Sequence, residues 1–158
     1  MKLKFSLRSF FNKLLAGTAQ GIIIAIVPNA IISGLFSYFA GNALADMAIQ
    51  AGLIFQIATP LIIGALIAKQ FDLSPVAIMV TAAAAFIGSG VIQYDESIQG
   101  FVGAGTGDVI NVMITSALAI ILLHLIGDKF GSVSVIGLPL VVGIGVGVLG
   151  MWIYPSNC

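Results

Sequence analysis

Five long stretches without a charged side chain constrain what this chain can fold into. No Asp, Glu, Lys or Arg occurs in residues 14–45, 47–68, 73–94, 109–127 or 130–158. A helix that crosses a bilayer needs about 20 mostly apolar residues, at a rise of about 1.5 Å each. Because each stretch is near or above that length, we predict an all-α integral membrane protein with about five transmembrane helices.

The composition supports lipid rather than water as the surrounding medium. Only 8% of the residues are charged, whereas a soluble domain carries about a quarter. The formal net charge is zero, so a nucleic-acid partner has no electrostatic support. The single cysteine, Cys158, excludes an internal disulfide and any CxxC metal or redox site. We expect the bilayer as partner, no metal, no cofactor and no catalytic residues.

The chain divides into a short N-terminal segment and one membrane domain. Residues 1–13 place apolar side chains opposite Lys and Arg at helical spacing, which is typical of a cytoplasmic amphipathic helix at the bilayer interface. Residues 14–158 form the transmembrane domain. The expected spans are about 16–40, 47–68, 73–94, 108–126 and 132–154.

Basic residues predict the orientation of these spans. Lys2, Lys4, Arg8 and Lys13 precede the first span, and Lys69 and Lys129 fall in alternate loops. Since Lys and Arg favour the cytoplasmic side, the chain is predicted N-in and C-out, with Trp152 and Tyr154 at the outer interface.

Several expected spans contain a helix-breaking residue. Pro28 lies in the first span, Pro60 in the second and Pro139 in the fifth. Proline removes a backbone donor, and lipid cannot satisfy the carbonyl that this frees. Two interpretations remain open at each position: a packing kink, or a break that lines a polar cavity.

The segment 100–111 has the most unusual composition. Four glycines in eight residues disfavour a regular helix by about 1 kcal/mol each. Thr106 is predicted to cap the fourth span, with Asp108 in its first turn and Asn111 one turn later. Two interpretations remain open: an extracellular loop before a capped helix, or a re-entrant segment whose carboxylate and amide bind a hydroxylated solute.

The candidate solute-binding residues follow from the second interpretation. Asn29 and Gln56 are added because each is a polar side chain beside a predicted helix break, although hydrogen bonding between helices is the favoured explanation for them. The full candidate set is Gly103, Gly105, Thr106, Gly107, Asp108, Asn111, Asn29 and Gln56.

Four short motifs resemble one membrane family. They are Gly17-Thr18-Ala19-Gln20-Gly21 leading to Val27-Pro28-Asn29-Ala30, Ala85-Phe86-Ile87-Gly88-Ser89-Gly90, Gly105-Thr106-Gly107-Asp108-Val109-Ile110-Asn111, and Gly127-Asp128-Lys129-Phe130-Gly131-Ser132 before Leu138-Pro139. Together they resemble the EIIC-like permeases of bacterial phosphotransferase systems, a family that includes proteins labelled toxin (perfringolysin) regulators. The resemblance covers residues 14 to 155.

The resemblance implies a permease component of the bacterial cytoplasmic membrane that moves a sugar or related solute. A separate IIB partner would phosphorylate the solute, and IIA and IIB would carry the phosphoacceptors, so this chain is at most the membrane subunit of a phosphotransferase system. Family members are about twice this length, and the chain resembles their N-terminal half. A second copy or a missing C-terminal half would then complete the pathway.

A different class of function remains open beside transport. In it the protein is a membrane-embedded regulator or scaffold that acts through protein partners, as the toxin-regulator label suggests. The N-terminal amphipathic segment and the inner loops would then be its working surfaces.

Overall fold

A computed structural model describes residues 6–39, 41–103, 105–126 and 131–153. Its helices are α1 (Leu7–Phe36), α2 (Ala43–Ile57), α3 (Thr59–Gln70), α4 (Pro75–Gly88), α5 (Val109–Ile126), α6 (Ser134–Leu138) and α7 (Gly145–Ile153). Short 3₁₀ turns occupy Ser37–Phe39 and Gly131–Val133, and a π-helical segment, Pro139–Ile144, joins α6 to α7. Two strands, β1 (Ile92–Asp95) and β2 (Gly100–Gly103), complete the described part.

The N-terminal amphipathic segment and the first span belong to one helix. α1 runs for 30 residues, so no break separates the segment ending at residue 13 from the span expected at 16. It also continues through Pro28, where the sequence suggested an interruption. Helices in a membrane tolerate proline when neighbouring groups satisfy the freed carbonyl.

The second expected span is bent, as its Thr59-Pro60 dipeptide indicates. α2 ends at Ile57, α3 begins at Thr59, and the two axes differ by 48°. Ala58 lies between them, and Pro60 occupies the first turn of α3, where a missing backbone donor costs little.

The described helices confirm the membrane class but only part of the span count. Three units are long and apolar enough to cross a bilayer, Leu7–Phe39, Val109–Ile126 and Ser134–Ile153, and the bent α2–α3 pair raises the number to four. α4 has 14 residues and falls short of that length. A fifth crossing by α4 therefore stays a prediction, as does the N-in, C-out orientation.

A β-hairpin interrupts the all-helical pattern that the sequence predicted. β1 pairs antiparallel with β2, with Gln93 opposite Val102 and Tyr94 opposite Phe101. The hairpin includes residues 92–94, which the sequence places at the end of the third span. Isoleucine, tyrosine, phenylalanine and valine favour extended backbone, which explains the strands.

Small residues allow the helices to approach closely. The backbone of Gly17 lies against that of Ile67, and Gly21 lies against Ile63, so α1 packs on α3. Gly64 brings α3 onto α4 at Ala82 and Ala85. Two clusters of buried apolar side chains form the core, one mainly between α4, α5 and the α6–α7 region, the other between α1, α3, α4 and α5.

The two ends of the bundle differ in chemistry. At one end, which we call the basic end, Lys13 Nζ lies 4.0 Å from Asp72 Oδ2 and over the ring of Phe71. α1 therefore begins where α3 ends. The opposite end, the hairpin end, holds the end of α4, the start of α5 and the end of α7, because Asn111 bonds to both Gly88 and Gly150.

Candidate functional site

Asn29 and Gln56 lie together, as the sequence interpretation allowed. Asn29 Nδ2 donates to Gln56 Oε1 over 2.6 Å, and Ser33 Oγ donates to Asn29 Oδ1 over 3.2 Å. All three side chains are half-buried. We call Asn29 and Gln56 the amide pair, and Ser33 its serine. The pair links α1 to the last turn of α2.

Local geometry explains why the amide pair forms at this point along α1 and α2. Asn29 sits one residue after Pro28 on α1, and Gln56 lies two residues before the bend at Ala58. Gly52 gives Asn29 room, since a Cβ added at Gly52 would lie 2.7 Å from Asn29 Oδ1. No described residue accepts a hydrogen bond from Gln56 Nε2. Its two donors are therefore open to water or to a ligand.

Asp108 caps α5. Its Oδ1 accepts from Ile110 N at 2.8 Å and from Asn111 N at 3.2 Å. These are two of the donors that a helix start leaves without a partner, and a carboxylate there also matches the helix dipole. The predicted cap, Thr106, was wrong: its hydroxyl bonds instead to Gly107 O at 3.3 Å. The turn at Gly107, with φ of 68°, places Asp108 one residue before the helix.

Asn111 fastens three helices. Its Nδ2 donates to Gly88 O on α4 and, at 2.9 Å, to Gly150 O on α7. The side chain is 3% exposed. Both amide donors are therefore used in contacts between helices, and little of the residue is open to a solute.

Thr115 and Ser116, which the sequence analysis did not select, are buried polar residues on the same helix as Asn111. Three buried oxygen atoms have no hydrogen-bond partner among the described residues: Asn111 Oδ1, Thr115 Oγ1 and Ser116 Oγ. Thr115 lies one turn after Asn111 and packs on both Gly88 and Gly150. The spacing Asn111–Thr115, four residues on one helix face, was the signal available in the sequence.

The glycines of the candidate segment have separate structural roles. Gly103 ends β2 beside Ile57, where an added Cβ would lie 3.4 Å from Ile57 Cδ1. Gly107 packs on Ser89, and Asp108 N donates to Ser89 O at 2.9 Å. Gly105 has φ of 70° and open space around it. The segment therefore forms a hairpin and a tight turn at the helix ends.

The candidate residues thus form two groups rather than one site. Asn29 and Gln56 lie at the α1–α2 contact, while Thr106, Gly107, Asp108 and Asn111 lie at the α4–α5–α7 junction. Gly103 connects the two because it touches Ile57, the neighbour of Gln56.

A groove of about 490 Å³ between α4 and the π-helical segment is lined by apolar side chains, among them Met79, Ile87 and Ile144. It offers a hydroxylated solute few partners, because aliphatic groups neither donate nor accept hydrogen bonds. Within the described ranges, no group of three or more His, Cys, Asp or Glu side chains could hold a metal ion.

These elements define an integral membrane protein built from closely packed apolar helices with polar contacts between them. The family model described as phosphotransferase system, EIIC matches residues 12–156, which is most of the chain. The chain therefore belongs to the phosphotransferase system EIIC family. No curated protein and no solved structure matches it at a significant level.

Proposed function

We propose that the chain is a permease component of a phosphoenolpyruvate-dependent sugar phosphotransferase system in the bacterial cytoplasmic membrane. Membership of the EIIC family and the apolar helices support this proposal. The solute would be a sugar or a similar hydroxylated molecule. Phosphorylation would belong to separate IIA and IIB components, so the work of this chain is to bind the solute and conduct it.

The amide pair is the observation that carries the proposal. A polar side chain within an apolar span is costly unless protein or water satisfies it. Asn29 and Gln56 satisfy each other only in part, and they remain half-buried beside a bent span. A carboxamide offers both donors and acceptors, which is what sugar hydroxyls require. We therefore place the solute contact at the amide pair and its serine.

Asp108 and Asn111 take a supporting part in this proposal. Asp108 already accepts from two backbone donors, and Asn111 already donates to two carbonyls. Sugar binding at these side chains would break contacts that hold α5 in place. We assign them the positioning of the hairpin and of the ends of α4, α5 and α7.

A second copy, or a C-terminal half outside this sequence, would close the pathway. Ala45 and Gly52 are the buried residues of α2, whose remaining side chains are exposed or half-buried. That helix packs mainly on α1 and offers an apolar face to lipid or to another protein subunit. A homodimer would place two amide pairs around one path.

The test is sugar binding by the chain in nanodiscs, followed by native mass spectrometry with a panel of sugars. Gln56→Leu removes the amide at nearly unchanged size. Gln50→Leu is the matched control, since Gln50 lies on the same helix, is exposed and makes no side-chain hydrogen bond to another described residue. Loss of the bonds to Gln56 should weaken sugar binding about tenfold, because a lost hydrogen bond costs about 0.5–1.5 kcal/mol and 1.4 kcal/mol is tenfold.

The outcomes separate the proposal from its rivals. Weaker binding by Gln56→Leu with unchanged binding by Gln50→Leu supports the solute contact. Equal binding by both variants moves the contact elsewhere. A chain that binds no sugar favours the regulator, whose phenotype should disappear on deletion of residues 2–12.

A further inference from the structure

The hairpin exposes large apolar side chains that water does not favour. Phe101 is 77% exposed, Ile98 64% and Tyr94 57%. Tyr94 and Phe101 are directly opposite each other in the β-ladder, and their rings make an edge-to-face contact with centroids 5.4 Å apart. The hairpin therefore carries a preformed aromatic pair on its surface.

The two faces of the hairpin have different character. Side chains alternate along a strand, so Ile92 and Tyr94 share a face with Phe101, whereas Gln93 and its partner Val102 lie on the other face. At the base, the aromatic face is continuous with the contact between Gly103 and Ile57. It is therefore turned toward the side of the bundle that α2 occupies.

The ends of α4, α5 and α7 fix the position of the hairpin along the axis of the bundle. α4, α5 and α7 meet at Gly88, Asn111 and Gly150, and the turn before α5 is tied to Ser89. α5 has 18 residues, which at about 1.5 Å each gives about 27 Å, close to the hydrocarbon thickness of about 30 Å. The hairpin thus leaves the bundle near the boundary between acyl chains and head groups.

A third exposed aromatic side chain lies at the same end. Trp152, two residues after Gly150 on α7, is 88% exposed. Tyrosine and tryptophan accumulate where a protein crosses this boundary, because their rings are apolar and their edges polar. The place of Trp152 at the outer interface stays a prediction, and Tyr154 lies outside the described residues.

The turn of the hairpin contains a hydrogen-bonded polar pair, Asp95 and Ser97. Ser97 donates to Asp95 Oδ1 from its hydroxyl, at 2.5 Å, and from its backbone N, at 2.8 Å. These two bonds, the hydroxyl bond first, lower the pKa of the Asp95 carboxyl. The carboxylate thus stays ionised near neutral pH and requires water, on the face opposite the aromatic pair.

We propose that the hairpin lies in the bilayer interface, with Tyr94 and Phe101 in contact with lipid and the Asp95 face toward water. The segment would then be neither a re-entrant element deep in the membrane nor a loop free in solution. As an interfacial anchor, it would fix the height of the start of α5. The proposal does not depend on sugar transport.

Depth-dependent quenching of tryptophan fluorescence tests the proposal. Trp152 is the only tryptophan, so Trp152→Phe provides a silent background in which Phe101→Trp reports the aromatic face. Gln93→Trp in the same background is the matched control on the opposite face of the hairpin. Both are measured in vesicles of brominated phosphatidylcholine and in unbrominated vesicles with iodide.

Lipid contact predicts that brominated lipid quenches the tryptophan of Phe101→Trp at least twofold more than that of Gln93→Trp, while iodide gives the reverse order. Equal quenching of both by iodide would mean that the hairpin stands in water, and protection of Phe101→Trp from both quenchers would mean a protein cover. Either result overturns the proposal.

A second readout guards against misfolding of the tryptophan variants. Cys158→Ser removes the only thiol, and Phe101→Cys and Gln93→Cys can then be labelled with a membrane-impermeant maleimide. Slower labelling of Phe101→Cys is expected, and equal rates contradict lipid contact.

Discussion

Gly17 offers the most direct test of the helix packing. A Cβ added there would lie 2.5 Å from Ile67 Cα and 2.7 Å from Ile67 N. Carbon atoms in favourable contact are about 3.5–4.0 Å apart, so Gly17→Ala requires α1 and α3 to separate by about 1 Å. The obstacle is backbone, which has no rotamer to change.

The expected loss of stability follows from two opposing terms. Overpacking of this kind costs about 1–3 kcal/mol, whereas alanine gains about 1 kcal/mol over glycine in a helix. Gly34→Ala separates the terms, because Gly34 lies on the same helix and an added Cβ would meet nothing within 4 Å. The difference between the two variants should therefore be about 1–3 kcal/mol.

The assay is reversible unfolding in mixed micelles, followed by circular dichroism as the fraction of denaturing detergent rises. Gly17→Ala should unfold at a lower fraction than Gly34→Ala. Trimming Ile67 to alanine in the Gly17→Ala background should not restore stability, because the contact is with backbone atoms. Equal stability of Gly17→Ala and Gly34→Ala would refute the close α1–α3 contact.

Three further predictions concern the hairpin end. Asp108→Ala should cost about 1 kcal/mol by loss of the cap, while Asp108→Asn should keep most of it; the same unfolding assay compares them. Asn111→Leu should lower the free energy of unfolding by about 0.6–1.7 kcal/mol for each donated bond. Asn111→Asp should lower it further in the same assay, because it places a carboxylate beside two carbonyls. Tolerance of Asn111→Asp would contradict the assigned bonds. The pKa of Asp95 is lowered in the folded state, so its carboxylate stabilises the fold above the pKa of the unfolded chain, and this stability is lost as the pH falls through the lowered pKa. Ser97→Ala should raise the pKa of Asp95 in an NMR titration. An unchanged pKa would contradict the Ser97 bonds.

The membrane class could be predicted from sequence because charge cannot be hidden in a bilayer. A long run without Asp, Glu, Lys or Arg reports directly on the surrounding medium. The EIIC family was likewise recognisable, from short glycine-rich motifs spread along the chain, and the family model confirms it.

Local structure was harder to predict where two signals competed. Pro28 suggested a break, yet α1 continues through it to Phe36. The density of glycines in 100–107 suggested an irregular loop and outweighed the strand preference of the residues among and before these glycines. Alternating Ile92-Gln93-Tyr94-Asp95 was a strand signal that the length of the uncharged run outweighed.

The capping residue shows how a shift of two positions changes an interpretation. Thr106 and Asp108 are both good caps by residue type. Positive φ at Gly107 turns the chain so that Asp108, rather than Thr106, faces the free donors of α5. Sequence lists the residues able to cap a helix, but the backbone decides which of them is in place.

The same reasoning separates the two groups of polar candidates. In the sequence, Asn111 and Gln56 are equivalent: each is a carboxamide in an apolar helix. In the fold, both donors of Asn111 reach carbonyls of neighbouring helices, whereas Gln56 accepts from Asn29 and keeps donors that no described residue uses. A side chain whose donors are all used holds the fold together, and we propose that one with open donors beside a bent span is available to a solute. Because these partners lie 27 and 39 residues apart, only the packed structure distinguishes the two patterns of hydrogen bonding.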